Sequence, residues 1–103
     1  MTDAEFRVTA GSDDTTPAVA ASGDIDLGNV ADFSDAMAKA ANGSTALSVD
    51  LTAVTYCDSA AVRALFAVAA TTELTMIVAA TGPIKTLLGI SGLDRVAAVV
   101  TME

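Results

Sequence analysis

The sequence predicts an α/β protein built on a mixed, mostly parallel sheet of four to five strands, with three or more helices packed against it. Two patterns lead to this prediction. Five short stretches show either alternating polar and apolar residues or a continuous apolar run, which is typical of strands. Between the later stretches, apolar residues recur at the spacing of amphipathic helices. Strands that alternate with helices are joined by crossover connections, and these place neighbouring strands parallel.

The N-terminal part predicts an antiparallel pair of strands. Residues 5–10 alternate apolar and polar side chains, and residues 18–22 form a second, weakly polar strand. Residues 11–17, which join them, are rich in turn-forming Gly, Asp and Pro. Two short strands with such a connection favour an antiparallel arrangement. Residues 23–29 are then predicted to form a loop that leads into the first helix.

The rest of the chain predicts helices and strands in alternation. Apolar residues recur from Val30 to Met37 on one face of a helix, and Asn42-Gly43 is a usual helix stop. The short apolar run at 75–80 predicts a strand that is buried on both faces. The predicted elements are a helix over 30–41, a strand over 45–51, a helix over 59–70, a strand over 75–80, a helix over 83–89, a turn over 91–93 and a strand over 96–100.

The composition restricts the classes of partner. The chain has 103 residues, 52% of them hydrophobic, which suits a single domain over residues 1–103. Its formal net charge is −8 and it has only five Lys and Arg, so we expect no nucleic-acid binding. The acids either keep the domain soluble or speed its encounter with a basic protein partner. No apolar run approaches the ~20 residues that span a bilayer, and no segment has the pattern of a signal peptide. We therefore expect a cytoplasmic protein without direct membrane insertion.

Histidine is absent, and Cys57 is the only cysteine. These two facts exclude Ser-His-Asp and Cys-His catalysis, histidine metal sites and cysteine zinc clusters, so we expect neither an enzyme nor a cofactor. An enzyme that used Asp58 and Ser59 would lack an evident base beside the serine. Cys57 lies among apolar residues, where a small buried hydrophobe is expected. The alternative is a redox sensor, which would need an exposed thiol with a lowered pKa.

The stretch TYCDSAAVRALF, residues 55–66, holds the main candidate site. Asp58 and Ser59 lie between a strand and the helix that follows it, at the edge where sites gather in α/β sheets. Either side chain is a preferred helix N-cap. The functional alternative is that Ser59 is phosphorylated and that the added charge prevents partner binding. Arg63, one turn later, is either an exposed helix residue or a residue that positions the phosphate.

The loop before the first helix carries a second pair of candidates. Asp24 and Asp26 flank Ile25, and they either order the loop or contact the same partner as the start of the second helix. The predicted partner-binding set consists of Asp24, Asp26, Asp58, Ser59, Ala60, Ala61 and Arg63.

Three segments carry a family pattern. ASGDIDLGNVADF is similar to a G-x-[IL]-D loop that leads into a long helix, and LSVDLTAVTYCDSAAV is similar to the hallmark D-L-[ST]-x-V-x-[FY]-x-D-S-[SA]-G. TGPIKTLLGISGLDRVAAV is similar to a closing helix, an SGL turn and a final strand. In this order, from about residue 5 to residue 101, the segments resemble the STAS domain of bacterial anti-sigma factor antagonists. The resemblance implies a STAS-like fold.

The resemblance also implies a regulator without catalytic activity. Such proteins bind an anti-sigma factor, commonly a serine kinase, and so release a sigma factor for transcription. Phosphorylation of the serine after the hallmark Asp abolishes binding, and a phosphatase restores it. On this chain the hallmark Asp matches Asp58, the serine matches Ser59 and the loop Asp matches Asp26. The family usually has Gly where this chain has Ala61, and the added methyl group is expected at the surface that faces the kinase.

The resemblance leaves other roles open. STAS domains also serve as subunits of lipid-transport ATP-binding cassette complexes and as parts of anion transporters; an isolated chain argues against the anion transporter. A STAS regulator that is not phosphorylated, or one that responds to oxidation of Cys57, would also fit the pattern.

Overall fold

The fold is a five-stranded sheet with helices packed against it. The computed structural model describes residues 4–9, 11 and 15–102. The five strands lie in the sheet in their order along the chain; the first two are antiparallel neighbours, and the other neighbours are parallel. The predicted α/β class with a mixed, mostly parallel sheet is confirmed. Among the described residues, no helix is long and apolar enough to span a membrane. The elements are β1 (Glu5–Thr9), β2 (Ala18–Ile25), α1 (Val30–Ala41), β3 (Ala46–Cys57), α2 (Ser59–Ala69), β4 (Glu73–Ala79), α3 (Pro83–Ser91), α4 (Leu93–Val96) and β5 (Ala98–Met102).

Several predicted boundaries were wrong. β2 continues to Ile25, so the predicted loop over 23–29 begins later, and β3 continues to Cys57 instead of ending at residue 51. In place of a turn over 91–93, Gly92 ends α3 with a φ of 84° and α4 begins at once. This short helix buries Leu93 completely and delays the last strand to 98–102. The end of the first predicted strand at residue 10 and the middle of the 11–17 connection lie outside the described residues.

Two β-bulges explain why β3 was predicted too short. β3 carries one extra residue opposite positions 20–22 of β2 and a second extra residue opposite positions 23–24. Each bulge interrupts the alternation of the strand, so that residues 52–53 and residues 55–56 are pairs of consecutive exposed residues. The strand therefore continues where its polar–apolar alternation stops.

The core lies on one face of the sheet. Along β2 and β4, buried residues alternate with half-buried or exposed ones, as they do in a sheet that is covered on one side. Because consecutive strands are neighbours, right-handed crossovers place their helices on the same face. β4 was predicted to be buried on both faces, but Thr75 and Ile77 are only half-buried because no described helix covers the second face. The largest fully buried side chains are Phe33, Ile25, Met37, Leu47, Leu51, Leu65, Met76, Leu88, Leu93, Val19, Val49 and Val78.

An aromatic pair attaches the edge strand β1 to the helix layer. Phe6 of β1 stacks on the buried Phe33 of α1, with ring centroids 5.3 Å apart and an angle of 28° between the rings. The neighbours of Phe6 in β1, Glu5 and Arg7, are exposed. The contact therefore fixes which face of the antiparallel strand is turned towards the core.

Candidate functional site

The candidate site lies at the edge of the sheet where β2 and β3 end. Ile25 and Cys57 are paired at the ends of these parallel strands. The Asp58 N–H donates a hydrogen bond to the Ile25 carbonyl oxygen at 3.1 Å. Because the two strands run in the same direction, the loop after β2 and the start of α2 leave the sheet side by side. The fold thus brings two distant segments with predicted site residues to one edge.

Asp58 fastens the loop to the start of α2. Its Oδ1 accepts hydrogen bonds from the N–H groups of Ala60 at 2.9 Å and Ala61 at 3.2 Å. Its Oδ2 accepts a hydrogen bond from the N–H of Leu27 at 3.0 Å. One half-buried carboxylate therefore satisfies two donors of the helix start and one donor of the loop. The cap, which the sequence left open between Asp58 and Ser59, is Asp58.

The loop over 26–29 is further ordered by its own polar side chains. Asp26 Oδ1 accepts a hydrogen bond from the Gly28 N–H at 2.9 Å, and Asn29 Oδ1 accepts one from the Asp26 N–H at 3.0 Å. Asn29 Nδ2 donates to the Asp24 carbonyl oxygen at 2.8 Å. Asp26 therefore shapes the loop while its side chain stays exposed.

Asp24 is bound to the neighbouring strand. The Thr55 hydroxyl donates a hydrogen bond to Asp24 Oδ1 at 2.5 Å. Thr55 is the extra residue of the second bulge, so this bulge brings its hydroxyl to β2. Both aspartates that were predicted as partner contacts, Asp24 and Asp26, thus hold the edge of the sheet in shape.

Ser59 is exposed and makes no evident structural contact. It is the first residue of α2 and follows the capping residue directly. Its hydroxyl makes no hydrogen bond with any of the described residues. The side chain is therefore open to solvent in the folded protein.

The remaining predicted residues are divided between the surface and the core. Ala60 is half-buried, and Arg63 is exposed one helical turn after Ser59. Ala61 is 0% exposed. The expectation that its methyl group faces a kinase was wrong, because the N-terminal turn of α2 directs that side chain into the core. Ala61 is accordingly a core residue and not a side-chain contact for a partner.

Two exposed apolar side chains at this edge were not predicted. Leu27 in the loop is 78% exposed, and Tyr56 near the end of β3 is 53% exposed. A leucine within the predicted loop over 23–29 was a signal that indicated Leu27. Tyr56 gave no such signal, because its exposure follows from the bulge. Large apolar side chains beside an ordered polar loop are typical of protein-binding surfaces.

Cys57 is a core residue. Its side chain is buried, and this burial, with the adjacent Asp58 carboxylate, raises the pKa of its thiol to about 11. The thiol is therefore protonated near neutral pH, whereas a redox sensor needs an accessible thiolate. The predicted role of a small buried hydrophobe is confirmed, and the geometry gives the redox alternative no support.

Solved structures share this fold. An anti-sigma factor antagonist from Mycobacterium paratuberculosis superposes with a TM-score of 0.83 and 24% identity, over 97% of this chain and 87% of that one. The anti-sigma factor antagonist SpoIIAA in its unphosphorylated form gives a TM-score of 0.64 and 12% identity, over 96% and 90% of the two chains. A Shewanella loihica PV-4 protein of the DUF3478 family, described as having a SpoIIAA-like fold, gives 0.61 and 11%, over 100% and 88%. At these identities the similarity concerns the fold.

Sequence comparison supplies the family. No curated protein matches the chain. The family described as "Mlab, STAS domain" matches residues 8–101. The matched range includes both segments that meet at the candidate site. The chain therefore belongs to this STAS-domain family.

Proposed function

We propose that the chain is a single-domain anti-sigma factor antagonist, over residues 1–103, that acts in the cytoplasm and has no catalytic activity of its own. It binds an anti-sigma factor that is also a serine kinase, and it thereby frees a sigma factor to direct transcription. Membership of the STAS family and the shared fold with anti-sigma factor antagonists support this role. The absence of histidine from the sequence agrees with a binding protein.

The observation that carries the proposal is the connection between the loop and α2. The Asp58 carboxylate holds the loop against the helix start, so that Leu27 and Ser59 belong to one ordered, exposed surface. A surface that is ordered before binding loses little conformational entropy when a partner covers it. The docking face consists of Asp24, Asp26, Leu27, Asp58, Ser59, Ala60 and Arg63.

Phosphorylation of Ser59 switches binding off in this proposal. The Ser59 oxygen displaces ADP from the γ-phosphorus of ATP, and the hydroxyl proton passes to a base of the kinase. The phosphate adds about −1.5 to −2 charges at pH 7. When a partner packs over Leu27 and Ser59, this dianion must lose its water, and the desolvation opposes binding. A phosphatase restores the hydroxyl by hydrolysis.

The test is a pull-down from a lysate of the source cell, read by mass spectrometry, with wild type, Ser59→Ala and Ser59→Asp as parallel baits. We expect an anti-sigma factor on wild type and on Ser59→Ala, and at least about tenfold less on Ser59→Asp, which corresponds to about 1.4 kcal/mol. Ser44→Asp is the matched control. It adds the same charge at an exposed serine just before β3, at the opposite end of that strand, and is expected to bind like wild type.

The outcomes separate the role from the switch. Equal capture by wild type and Ser59→Asp would keep the partner and remove the switch. Recovery of a transporter ATPase in place of an anti-sigma factor would contradict the proposed role and favour a subunit of a lipid-transport complex. Equal loss on Ser44→Asp would show that net charge, and not position 59, controls binding.

A further inference from the structure

We infer that Arg63 is the counter-ion of a phosphate group on Ser59, so that phosphorylation closes an ion pair within α2. The inference rests on the proposed phosphorylation of Ser59 and names Arg63 as the residue that binds the added phosphate. In this arrangement the modification adds negative charge to the docking face and also withdraws its only positive charge.

The spacing of the two residues brings their side chains together. Ser59 is the first residue of α2, and Arg63 lies four positions later in the same helix. Side chains four positions apart lie on the same helix face, with Cβ atoms about 5–6 Å apart. Both residues are exposed, so neither has to leave the core to form the pair. The long arginine side chain covers this distance.

Arg63 has no competing acid within its helix. α2 comprises SAAVRALFAVA, in which Arg63 is the only charged residue, and the position four residues after it is Ala67. The nearest acid in the sequence, Asp58, already uses both carboxylate oxygens for N–H groups of the loop and helix. A phosphate on Ser59 would therefore be the first strong acceptor that α2 offers to the guanidinium.

The chemistry of the two groups favours the pair. A guanidinium presents a planar fork of N–H donors that binds two oxygens of one phosphate, whereas a lysine ammonium acts as a point charge. The acid is also N-terminal to the base, which is the better of the two orientations for a pair four positions apart in a helix. The pair stabilises the dianionic form of the phosphate and thus lowers its second pKa.

The consequence concerns how the switch works. The unphosphorylated face offers Arg63 to an acidic group of the partner, while the phosphorylated face holds it internally. The fold around Asp58 stays as it is, because the pair uses no atom of the cap or of the loop. Binding is lost through altered charge and hydration on an unchanged backbone.

The test uses the full chain with phosphoserine incorporated at position 59 during translation, so it requires neither the kinase nor the partner. The second pKa of the phosphate is measured by phosphorus NMR titration in wild type, Arg63→Gln, Arg63→Lys and Arg7→Gln. We expect the pKa in Arg63→Gln to be higher than in wild type by about 0.3 or more, the size that an exposed pair one helical turn apart produces. Arg63→Lys keeps the charge without the fork and should fall between the two.

Arg7→Gln is the matched control, because Arg7 is an exposed arginine that pairs with the exposed Ala20 on the sheet face away from the core. Its phosphate pKa should equal that of wild type. Asp26 and Asp58, the acids of the loop and the helix start, are unchanged in all four proteins and cancel in the comparison. Equal values in wild type and Arg63→Gln, or an equal rise in Arg7→Gln, would overturn the inference. The titration does not involve a partner, so its result is independent of the pull-down that tests the proposed function.

Discussion

At the scale of single residues, two adjacent positions divide the work of the site. Asp58 caps α2 and binds the loop through three N–H groups, while Ser59 is exposed and free of hydrogen bonds to the described residues. The sequence predicted that either residue would cap the helix, because both residue types are preferred there. Only the backbone geometry, in which the helix begins at Ser59, decides between them.

Substitutions at these two positions should therefore differ in stability. Asp58→Ala removes the cap and the bond to Leu27, and we expect it to lower the free energy of unfolding by about 1–2 kcal/mol or slightly more. Asp58→Asn keeps the capping oxygen and should cost less, and Ser59→Ala should stay within about 0.5 kcal/mol of wild type. Urea unfolding followed by circular dichroism measures all three. A Ser59→Ala protein as unstable as Asp58→Ala would disprove this division.

Cys57 gives a prediction about pH. Its thiol has a pKa of about 11 in the folded chain, above the ordinary value of 9.0, because burial opposes the thiolate. The folded state holds this proton more tightly, so the stabilisation is complete below pH 9 and is lost as the pH rises towards 11. Over a range of about 2 pH units across this titration, from pH 8.5 to pH 10.5, we expect wild type to lose more stability than Cys57→Ala. Thermal unfolding at each pH measures the difference.

Alkylation of the native protein is the companion measurement for Cys57. Labelling by iodoacetamide at pH 8 should be slow and should become fast only in denaturant, because a buried, protonated thiol reacts poorly at about this pH. Rapid labelling of the native protein would restore the redox alternative.

At the scale of elements, the two bulges of β3 build the site edge. At the first bulge, Asp50 Oδ1 accepts hydrogen bonds from the N–H of Thr52 at 2.9 Å and from its hydroxyl at 2.6 Å. At the second, Gly23 of β2 adopts a φ of 81°, in the left-handed region that side chains with a Cβ disfavour. Gly23 and Asp50 therefore stabilise the two bulges, so that β3 accommodates its extra residues and continues as a strand.

Replacement of glycines tests the role of this backbone conformation. We expect Gly23→Ala to destabilise the chain by about 1–2 kcal/mol, because alanine at a positive φ is strained. Gly89→Ala is the matched control in the last turn of α3, where an added Cβ would meet only Asp94 Oδ2 at 3.8 Å, an ordinary contact. It should stabilise by about 0.5–1 kcal/mol, since alanine favours the helix. Thermal unfolding of both variants measures the pair, and a neutral Gly23→Ala would show that the second bulge relaxes easily.

At the scale of the whole molecule, periodicity predicted the order of the main elements and the sheet class. α1 and α2 begin where the spacing of apolar residues predicted, because amphipathic helices keep one regular period along their length. β3 was predicted too short because its bulges break the two-residue alternation of polar and apolar side chains. α4 was missed because four residues are too few to show a helical period. The half-buried second face of β4 depends on where the crossover helices lie, which a local apolar run does not encode.

The sequence predicted only part of the candidate site. The motif placed Asp26, Asp58 and Ser59 at one edge, and parallel strand pairing brings their segments together. The burial of Ala61 and the exposure of Tyr56 depend on the direction of a helix turn and on a bulge, so residue type alone could not give them. The hydrogen bonds of Asp24 and Asp26 within the edge were likewise invisible before the strands were paired.

The separation of duties between positions 58 and 59 has an evolutionary consequence. Since the fold relies on Asp58 for the helix start and the loop, position 59 is free to vary without endangering folding. Under the proposed switch, a single codon change there would create, remove or permanently mimic the phosphorylated state in a protein that keeps its structure. Selection could thus change the proposed control in one step, whereas a change at position 58 would alter it only together with stability.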